Sequence, residues 1–401
     1  MSRSTDPNAI EIPIHNGKTQ CVAFRPDGHL VGAQTSGDLR QWKVDGGELS
    51  PSAMKASGNV YGAVASMDGR WIVSGDLGNK VIVWNTVTHQ KTIEISDHTN
   101  YVYTVDVSGD SKRIASGSED CTARIFDIVS GARVIPPLKH NAAVIGVKFS
   151  PDGSRIATAT YQYTFVGIYD SSSGNKLHEI SIRVTGAPVT PLAWSPDGKQ
   201  LFVATSGKIT HFDTSTSFLS DWLVHGNDNH TAIVTHGQFI ACSAGSSVSF
   251  WDYASRQQIG TIIDHATQVG CISISRDGRY LACGRDNGIT VHNLTGLLPQ
   301  AYLRSSRVSQ IPLLEVSEAV LKSWMEGNSM DTESILSEEI ARCSNHCHYS
   351  LAARSLVRSH LSEWKTAIED AELVLPSHSV ILLVICSCDS IPSPSRFNNR
   401  L

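Results

Sequence analysis

Residues 97–127 read DHTNYVYTVDVSGDSKRIASGSEDCTARIFD, and this stretch decides how the rest of the chain is interpreted. An alternating apolar segment runs from Val102 to Ser108, and a second segment ends at Phe126-Asp127. Alternation of apolar and polar residues is typical of β-strands, because successive side chains point to opposite faces. Gly109-Asp110 between the segments favours a tight turn. We therefore predict short antiparallel strands joined by turns.

The same pattern repeats along the chain. An aromatic residue followed by Asp, Asn or Lys ends each copy, with successive spacings of 39 to 43 residues. These aromatic residues are Trp42, Trp84, Phe126, Tyr169, Phe212 and Trp251, with a weaker seventh copy at His292. Asp-Gly pairs such as Asp68-Gly69 and Asp152-Gly153 mark a turn in most copies. Four short strands in every repeat of this length are typical of a propeller blade.

The third copy shows what kind of repeat this is. Asp97-His98, then IASGSED from Ile114 to Asp120, then RIFD from Arg124 to Asp127 resemble a WD40 repeat. The resemblance extends over residues 9–296 and implies a mainly β fold, a seven-bladed β-propeller. It also implies a hydrogen-bonded network of His98, Ser116 and Asp120 inside the third blade, with Phe126 at the family's Trp position. The second copy keeps Trp84 but has Gly78 where the family has its turn Asp.

The last repeat lacks an outer strand of its own. The segment Ala9–His15 precedes the first repeat and reads as a strand without a blade. We expect it to close the ring as the outer strand of the seventh blade, which removes exposed sheet edges.

The period changes after the propeller. Residues 311–376 have helical spacing and predict a smaller α-helical region. Trp364, Ala367 and Ala371 make part of it similar to a tetratricopeptide repeat. Residues 377–401 are predicted to form an irregular tail. A genuine helical repeat array would continue beyond Pro376, so the sequence indicates a truncated or otherwise altered end.

Motifs for catalysis or cofactors are weak. Gly17-Lys18-Thr19 ends like a phosphate-binding loop but lies between predicted strands, and neither a nucleophile elbow nor a His-Glu-x-x-His pair occurs. Cys343, His346, Cys347 and His348 lack a second ligand pair at zinc-finger spacing. The regularly spaced His15, His98, His140 and His265 are interpreted as structural. The sequence thus predicts no enzyme activity, no cofactor and no metal ion, with a propeller hydrolase as a remote alternative.

Composition narrows the class of partner. The formal net charge is -5, so neither nucleic acid nor an anionic membrane surface is expected as a partner. The longest apolar run, residues 380–386, is too short to span a membrane. Nine cysteines without a disulfide framework favour an intracellular, and more specifically a cytoplasmic, protein.

A scaffold or adaptor that binds proteins or peptides is therefore the predicted function. The alternative is a substrate-recognition subunit of a larger machine, such as a ubiquitin ligase or vesicle coat, docked through the C-terminal helices. WD40 proteins usually hold partners at loops that precede the inner strands. The residues expected there are Asn59, Tyr61, Tyr101, Tyr103 and Gln268.

Overall fold

The computed structural model confirms a seven-bladed β-propeller. It describes residues 3, 4, 6, 8–14, 18–49, 53–161, 165–182, 191–205, 207–224, 232–286, 288–304, 334 and 337. The chain divides into two compact units, residues 1–308 and 309–401. Within the second unit Ser334 and Ser337 are described, and both are helical. The predicted tetratricopeptide-like segment 311–376 and tail 377–401 otherwise lie outside the described residues and stay predictions.

Each blade is a four-stranded antiparallel sheet, apart from one extra strand in the sixth. Two strands, β1 (Arg3–Ser4) and β2 (Ile10–Pro13), precede the first repeat. Blade 1 contains β3 (Thr19–Phe24), β4 (Leu30–Gln34), β5 (Asp38–Trp42) and β6 (Met54–Lys55). Blade 2 contains β7 (Val60–Ala65), β8 (Trp71–Asp76), β9 (Val81–Asn85) and β10 (Lys91–Ile95). Blade 3 contains β11 (Val102–Val107), β12 (Arg113–Ser118), β13 (Thr122–Asp127) and β14 (Leu138–Lys139).

The later blades repeat this order from the inner to the outer strand. Blade 4 contains β15 (Val144–Phe149), β16 (Arg155–Thr160), β17 (Phe165–Asp170) and β18 (Lys176–Ser181). Blade 5 contains β19 (Leu192–Trp194), β20 (Gln200–Thr205), β21 (Lys208–Asp213) and β22 (Leu219–Leu223). Blade 6 contains β23 (Ile233–His236), β24 (Phe239–Ala244), β25 (Ser247–Asp252) and β26 (Gln258–Asp264). Blade 7 contains β27 (Val269–Ile274), β28 (Tyr280–Arg285) and β29 (Gly288–Asn293).

The ring is closed by the N-terminal part of the chain. Strand β2 pairs antiparallel with β29, with Ile10 opposite Val291 and Pro13 opposite Gly288, and is the outer strand of blade 7. Strand β1 pairs parallel with β26 at the edge of blade 6. After β29 a 3₁₀ turn (Leu294–Gly296) and the short helix α1 (Gln300–Arg304) follow. Among the described residues, no helix is long and apolar enough to cross a bilayer.

The core lies between the blades. Seven clusters of buried apolar side chains each contain residues of two neighbouring blades. Ile12 of β2 belongs to the cluster between blades 7 and 1, together with Val22 and Trp42. Each interface receives about 25 cal/mol of stabilisation for every Å² of apolar surface removed from water. Closure therefore depends on the same kind of contact as every other interface.

The aromatic residue that marks the period packs against the preceding blade. Trp84 of blade 2 lies in the cluster with Val31 of blade 1, and Phe126 of blade 3 in the cluster with Val83 of blade 2. Tyr169 of blade 4 follows the same rule. The repeated aromatic residue thus supplies one large side chain to each of six interfaces, and His292 stands at this position in the seventh.

Asp and Gly shape the turns between the first and second strands. In blade 4, Ser150 Oγ donates to Asp152 Oδ1 at 2.5 Å and accepts from the Arg155 N–H at 3.0 Å. Gly153 follows with φ of +69°, a conformation that glycine adopts without steric cost. Blade 3 uses Ser108 and Asp110 in the same way, with Ser111 at φ of +59° in place of glycine. The reversed Gly109-Asp110 pair therefore still supports the same turn.

Several histidines also fill the interfaces between blades. The His140 ring precedes blade 4 and meets the Tyr169 ring edge-on, with centroids 5.8 Å apart. Burial, reinforced by the positive charge of Lys176, lowers the pKa of His140 to about 4. The folded protein therefore holds this imidazole in its neutral form.

The buried state of His140 predicts a loss of stability in acid. Its pKa in the folded protein lies below the value of about 6.5 of an unfolded chain. Between pH 6.5 and 4 the unfolded chain therefore binds more protons than the folded protein. The stabilisation from burying neutral His140 is fully present above pH 6.5 and is lost as the pH falls towards 4. We expect this residue to cost about 3 kcal/mol of unfolding free energy over that range. Denaturant unfolding of the wild type and of His140→Gln between pH 7 and 4 measures it. Identical pH dependence in both proteins would contradict the prediction.

Candidate protein-interaction surface

The antiparallel order of each blade places two kinds of loop at one end of the propeller. Val60 at the start of β7 pairs with Asp76 at the end of β8, and Val81 at the start of β9 pairs with Ile95 at the end of β10. Loops that enter the inner strands and turns between the second and third strands therefore share one end. We call this end the entry face.

The entry loops are fixed to the neighbouring turns by main-chain hydrogen bonds. The N–H groups of Leu77 and Glu119 donate to the carbonyls of Asn59 and Tyr101, each at 2.9 Å. The Tyr161 N–H donates to the Ala143 carbonyl at the same distance. Blades 2, 3 and 4 therefore present their loop side chains from backbone that is held in place on both sides.

The structure brings some of the predicted surface residues together. The rings of Tyr61 and Tyr103 meet edge-on, with centroids 5.7 Å apart. Tyr101 is 43% exposed, and Asn59 is exposed as well. Gln268 is also exposed at the entry face, but it belongs to blade 7, and blade 1 separates it from blade 2. The predicted set therefore divides into a group on blades 2 and 3 and a separate residue on blade 7.

Tyr103 links the surface to the core. Its ring packs against the apolar cluster between blades 4 and 5 that contains Ile145. Burial, together with a hydrogen bond to the Glu119 carboxylate, raises the pKa of Tyr103 well above its usual value. The hydroxyl therefore stays protonated and acts as a donor.

The sequence analysis missed Glu119 and Tyr161, which lie in turns between second and third strands. Tyr161 is 38% exposed on blade 4. The prediction considered only the loops that precede inner strands. The strand order places the turns between second and third strands at the same end of the propeller. We call Tyr61, Tyr101, Tyr103 and Tyr161, on three consecutive blades, the tyrosine patch.

Below the entry face, the His98 network supports blade 3. His98 Nδ1 lies 2.8 Å from Asp120 Oδ2, and His98 Nε2 lies 2.7 Å from Ser116 Oγ. Because an ionised carboxylate can only accept, Nδ1 carries the proton and Nε2 accepts from the Ser116 hydroxyl. Asp120 also accepts from the Thr99 N–H at 3.1 Å and from the Thr122 hydroxyl at 2.6 Å. The network thus ties the entry loop to the middle strands of the blade.

The charge states in this network follow from burial and hydrogen bonding. Burial is the largest influence on Asp120 and opposes its ionisation, but hydrogen bonds from Thr122 and His98 outweigh it and lower the pKa of Asp120 to about 2. Burial lowers the pKa of His98 despite the carboxylate beside it. The network is therefore a neutral imidazole held by a carboxylate, which suits a structural role.

Blade 2 also links its entry loop to its strands through a buried carboxylate, but with different residues. Gly78 occupies the turn position where a carboxylate was expected, and its N–H donates to Asp76 Oδ1 at 2.9 Å. Asp76 Oδ2 accepts from the Ser57 N–H at 3.1 Å, as Asp120 does from Thr99 in blade 3. Burial raises the pKa of Asp76 even though several backbone N–H groups donate to it. Trp84 Nε1 donates to Ser74 Oγ at 2.9 Å and completes the blade.

Comparisons with known proteins agree with this geometry. The family model described as "WD domain, G-beta repeat" matches residues 52–85, 89–127 and 256–293. The chain carries WD40 repeats. The second and third matches begin just before an outer strand and end with the third strand of the next blade. Each WD40 sequence repeat therefore spans two blades, which is the same arrangement that lets the N-terminal strand complete blade 7.

Several curated proteins are similar to this chain. Autophagy-related protein 16 of Arabidopsis thaliana is 23% identical over 300 residues, covering 71% of this chain and 58% of the relative. WD repeat-containing protein 1 of Gallus gallus is 24% identical, covering 68% of this chain and 47% of the relative. Eukaryotic translation initiation factor 3 subunit I of Emericella nidulans is 28% identical, covering 37% of this chain and 47% of the relative. The chain thus spans about half the length of the curated relatives it matches.

The buried and exposed aspartates of blade 3 predict unequal effects of mutation. Asp120→Ala removes the acceptor for His98, Thr99 and Thr122, and we expect a loss of about 3 kcal/mol because buried donors are left unpaired. Asp127→Ala removes hydrogen bonds to Val129 and Ser130 in an exposed turn, and we expect about 1 kcal/mol or less. Denaturant unfolding at neutral pH compares the two variants. Equal losses would show that the network adds nothing beyond an ordinary turn.

Proposed function

We propose that this protein is a non-catalytic scaffold or adaptor that binds other proteins or peptides through the tyrosine patch. The observation that carries the proposal is the position of four tyrosines on three consecutive blades, with Tyr101 and Tyr161 exposed and Tyr61 and Tyr103 half-buried. Main-chain hydrogen bonds fix the loops and strands that carry them. Tyrosine combines a large contact area with a hydrogen-bonding hydroxyl and is enriched at the energetic centres of protein interfaces. Loops that are already ordered lose little conformational entropy on binding.

The comparisons support an interaction role. WD40 propellers are generally non-catalytic scaffolds, and one of the relatives above is named as a WD repeat-containing protein. We propose that this chain likewise catalyses no reaction and needs no cofactor for binding its partners. An intracellular, cytoplasmic site of action is part of the proposal. The free thiols of Cys21, Cys242, Cys271 and Cys283, all buried, are compatible with a reducing compartment.

A second candidate function is that of a subunit in a larger assembly. One relative is named as a subunit of a translation initiation factor, and this favours a chain that recruits proteins to a multiprotein machine. In this version the predicted helical segment 311–376 docks to the assembly, while the entry face binds the recruited protein. A ubiquitin ligase or a vesicle coat would be a machine of this kind.

Affinity capture from cell extract with quantitative mass spectrometry tests the proposal. Immobilised full-length protein should enrich specific proteins, and Tyr101→Ala should reduce the main partner about tenfold, the effect of losing about 1.4 kcal/mol of binding free energy. Phe218→Ala is the matched control. Phe218 is 54% exposed and precedes β22 at the opposite end of the propeller.

The outcomes separate the two candidates. Loss of the partner with Tyr101→Ala alone supports the tyrosine patch. A large assembly that disappears when the chain ends at residue 310 supports the second candidate. Equal losses in Tyr101→Ala and Phe218→Ala, or no specific partner at all, would contradict the proposed binding surface.

A further inference from the structure

The interface between blades 6 and 7 differs from the others in its chemistry. In blade 3, Ser116 lies two residues after Ile114, and Ile114 pairs with the terminal aromatic Phe126. In blade 7, Cys283 lies two residues after Leu281, and Leu281 pairs with His292. Register therefore places Cys283 at the position of the serine and His292 at the position of the aromatic residue. His265, in the loop before blade 7, corresponds to His98.

These three residues converge on one point. The ligand atoms of His265, Cys283 and His292 all lie within 4.8 Å of one another. Cys283 is fully buried and His292 is 2% exposed. The rings of His265 and His292 meet edge-on, with centroids 5.0 Å apart. The arrangement is therefore a compact, largely buried group of two imidazoles and a thiol.

Both histidines have an unused nitrogen at this point. Nε2 of His265 and Nε2 of His292 are buried and have no hydrogen-bond partner in the described part of the chain. A buried polar atom without a partner costs about 1–3 kcal/mol, so two of them side by side require an explanation. In blade 3 the corresponding Nε2 of His98 accepts from Ser116, whereas a thiol is a much weaker donor.

A carboxylate fixes the tautomer of His292. Nδ1 of His292 lies 2.9 Å from Oδ2 of Asp6, whose side chain is 7% exposed. Because the carboxylate accepts, Nδ1 carries the proton. Nε2 keeps its lone pair free to bind a metal ion, since it has no hydrogen-bond partner among the described residues. A carboxylate behind an imidazole is the usual arrangement around metal-binding histidines in proteins, where it orients the ring and increases its basicity.

We propose that His265, Cys283 and His292 bind one Zn²⁺ ion between blades 6 and 7, with Asp6 orienting His292. Imidazole and thiolate are ligands that zinc prefers. Zn–N bonds of about 2.0–2.1 Å and a Zn–S bond of about 2.3 Å need ligand atoms somewhat closer together than here, which small side-chain rotations supply. Binding releases the Cys283 proton to solvent as the thiolate forms. Three protein ligands leave one tetrahedral position for a water molecule.

A zinc ion here would connect three parts of the chain that are far apart in sequence. Asp6 belongs to the N-terminal segment, His265 to the loop after blade 6, and Cys283 and His292 to blade 7. The ion would therefore stabilise the packing of the N-terminal segment against blade 7. Other blades have a hydrogen-bonded network or an aromatic ring at the equivalent position.

Cobalt binding to the full-length protein tests the site. After treatment with a chelator, the wild type should take up one equivalent of Co²⁺, giving a thiolate-to-metal charge-transfer band that added Zn²⁺ abolishes. Cys283→Ser should remove this band, and Zn²⁺ should no longer raise the melting temperature. Cys242→Ser, a buried thiol of blade 6 outside the group, is the matched control and should keep both responses.

Cys283→Ser also distinguishes a metal site from a hydrogen-bonded network, because serine is the residue of blade 3. If the three residues formed only such a network, this variant would be as stable as the wild type or more stable, with or without Zn²⁺. Asp6→Asn keeps all three ligands and should weaken Zn²⁺ binding about 10- to 100-fold. His265→Gln provides a second ligand variant if Cys283→Ser fails to fold.

The proposal is overturned if the chelator-treated wild type gives no charge-transfer band and no rise in melting temperature with Zn²⁺. It is also overturned if Cys283→Ser and His265→Gln, once folded, bind Zn²⁺ as tightly as the wild type.

Discussion

The apolar contact between the faces of neighbouring blades is the interaction on which the rest of this structure depends. A four-stranded sheet with two apolar faces cannot remain alone in water, and each blade covers the faces of the blades beside it. Seven such contacts form a ring, so every blade is needed by two others. The seventh contact includes Ile12, the buried residue of the four-residue N-terminal strand, with Ile10 packed against the same cluster.

Polar residues in the interior vary more than the apolar layer does. Blade 3 joins its loop to its strands through His98 and Asp120, blade 2 through Asp76 and Trp84, and blade 7 has a histidine pair with a cysteine. The groups in blades 3 and 2 provide partners for buried polar atoms, as burial demands, whereas Nε2 of both blade 7 histidines has no hydrogen-bond partner in the described part of the chain. Because the apolar contacts supply most of the stability, a blade can change its polar chemistry and still keep its place in the ring. A polar position inside a blade can then acquire a different role, such as the Zn²⁺ binding that we propose for blade 7.

The period and the turns could be predicted from the sequence because they depend on local rules. Alternation, the terminal aromatic residue and Asp-Gly pairs each occupy a short segment of sequence. Together they predict the blades, their number and an outer strand for blade 7 within Ala9–His15. Asp76 could not be found in this way. Its carboxylate replaces a residue two positions later in the family pattern, and its burial depends on how the loop at Ser57 folds back.

Contacts between blades in the candidate surface could not be predicted from local sequence patterns either. The sequence placed Tyr61 and Tyr103 on one face, but the contact between their rings depends on the spacing of blades 2 and 3. Tyr161 and Glu119 were missed because their turn comes from a different part of the repeat. The group of His265, Cys283 and His292 joins positions that are separated by 18 and 9 residues, and no motif spacing signals it. Only strand register brings these side chains together.

The unfolding free energy of Ile12→Ala tests the closure of the ring most directly. Leu223→Ala is the matched comparison, since Leu223 is an aliphatic residue of an outer strand that is 73% exposed. Denaturant unfolding should show a loss of about 2–5 kcal/mol for Ile12→Ala and about 0.5 kcal/mol or less for Leu223→Ala. Equal, small losses in both variants would show that the N-terminal strand contributes nothing to the core, and would contradict the account of a ring closed by that strand.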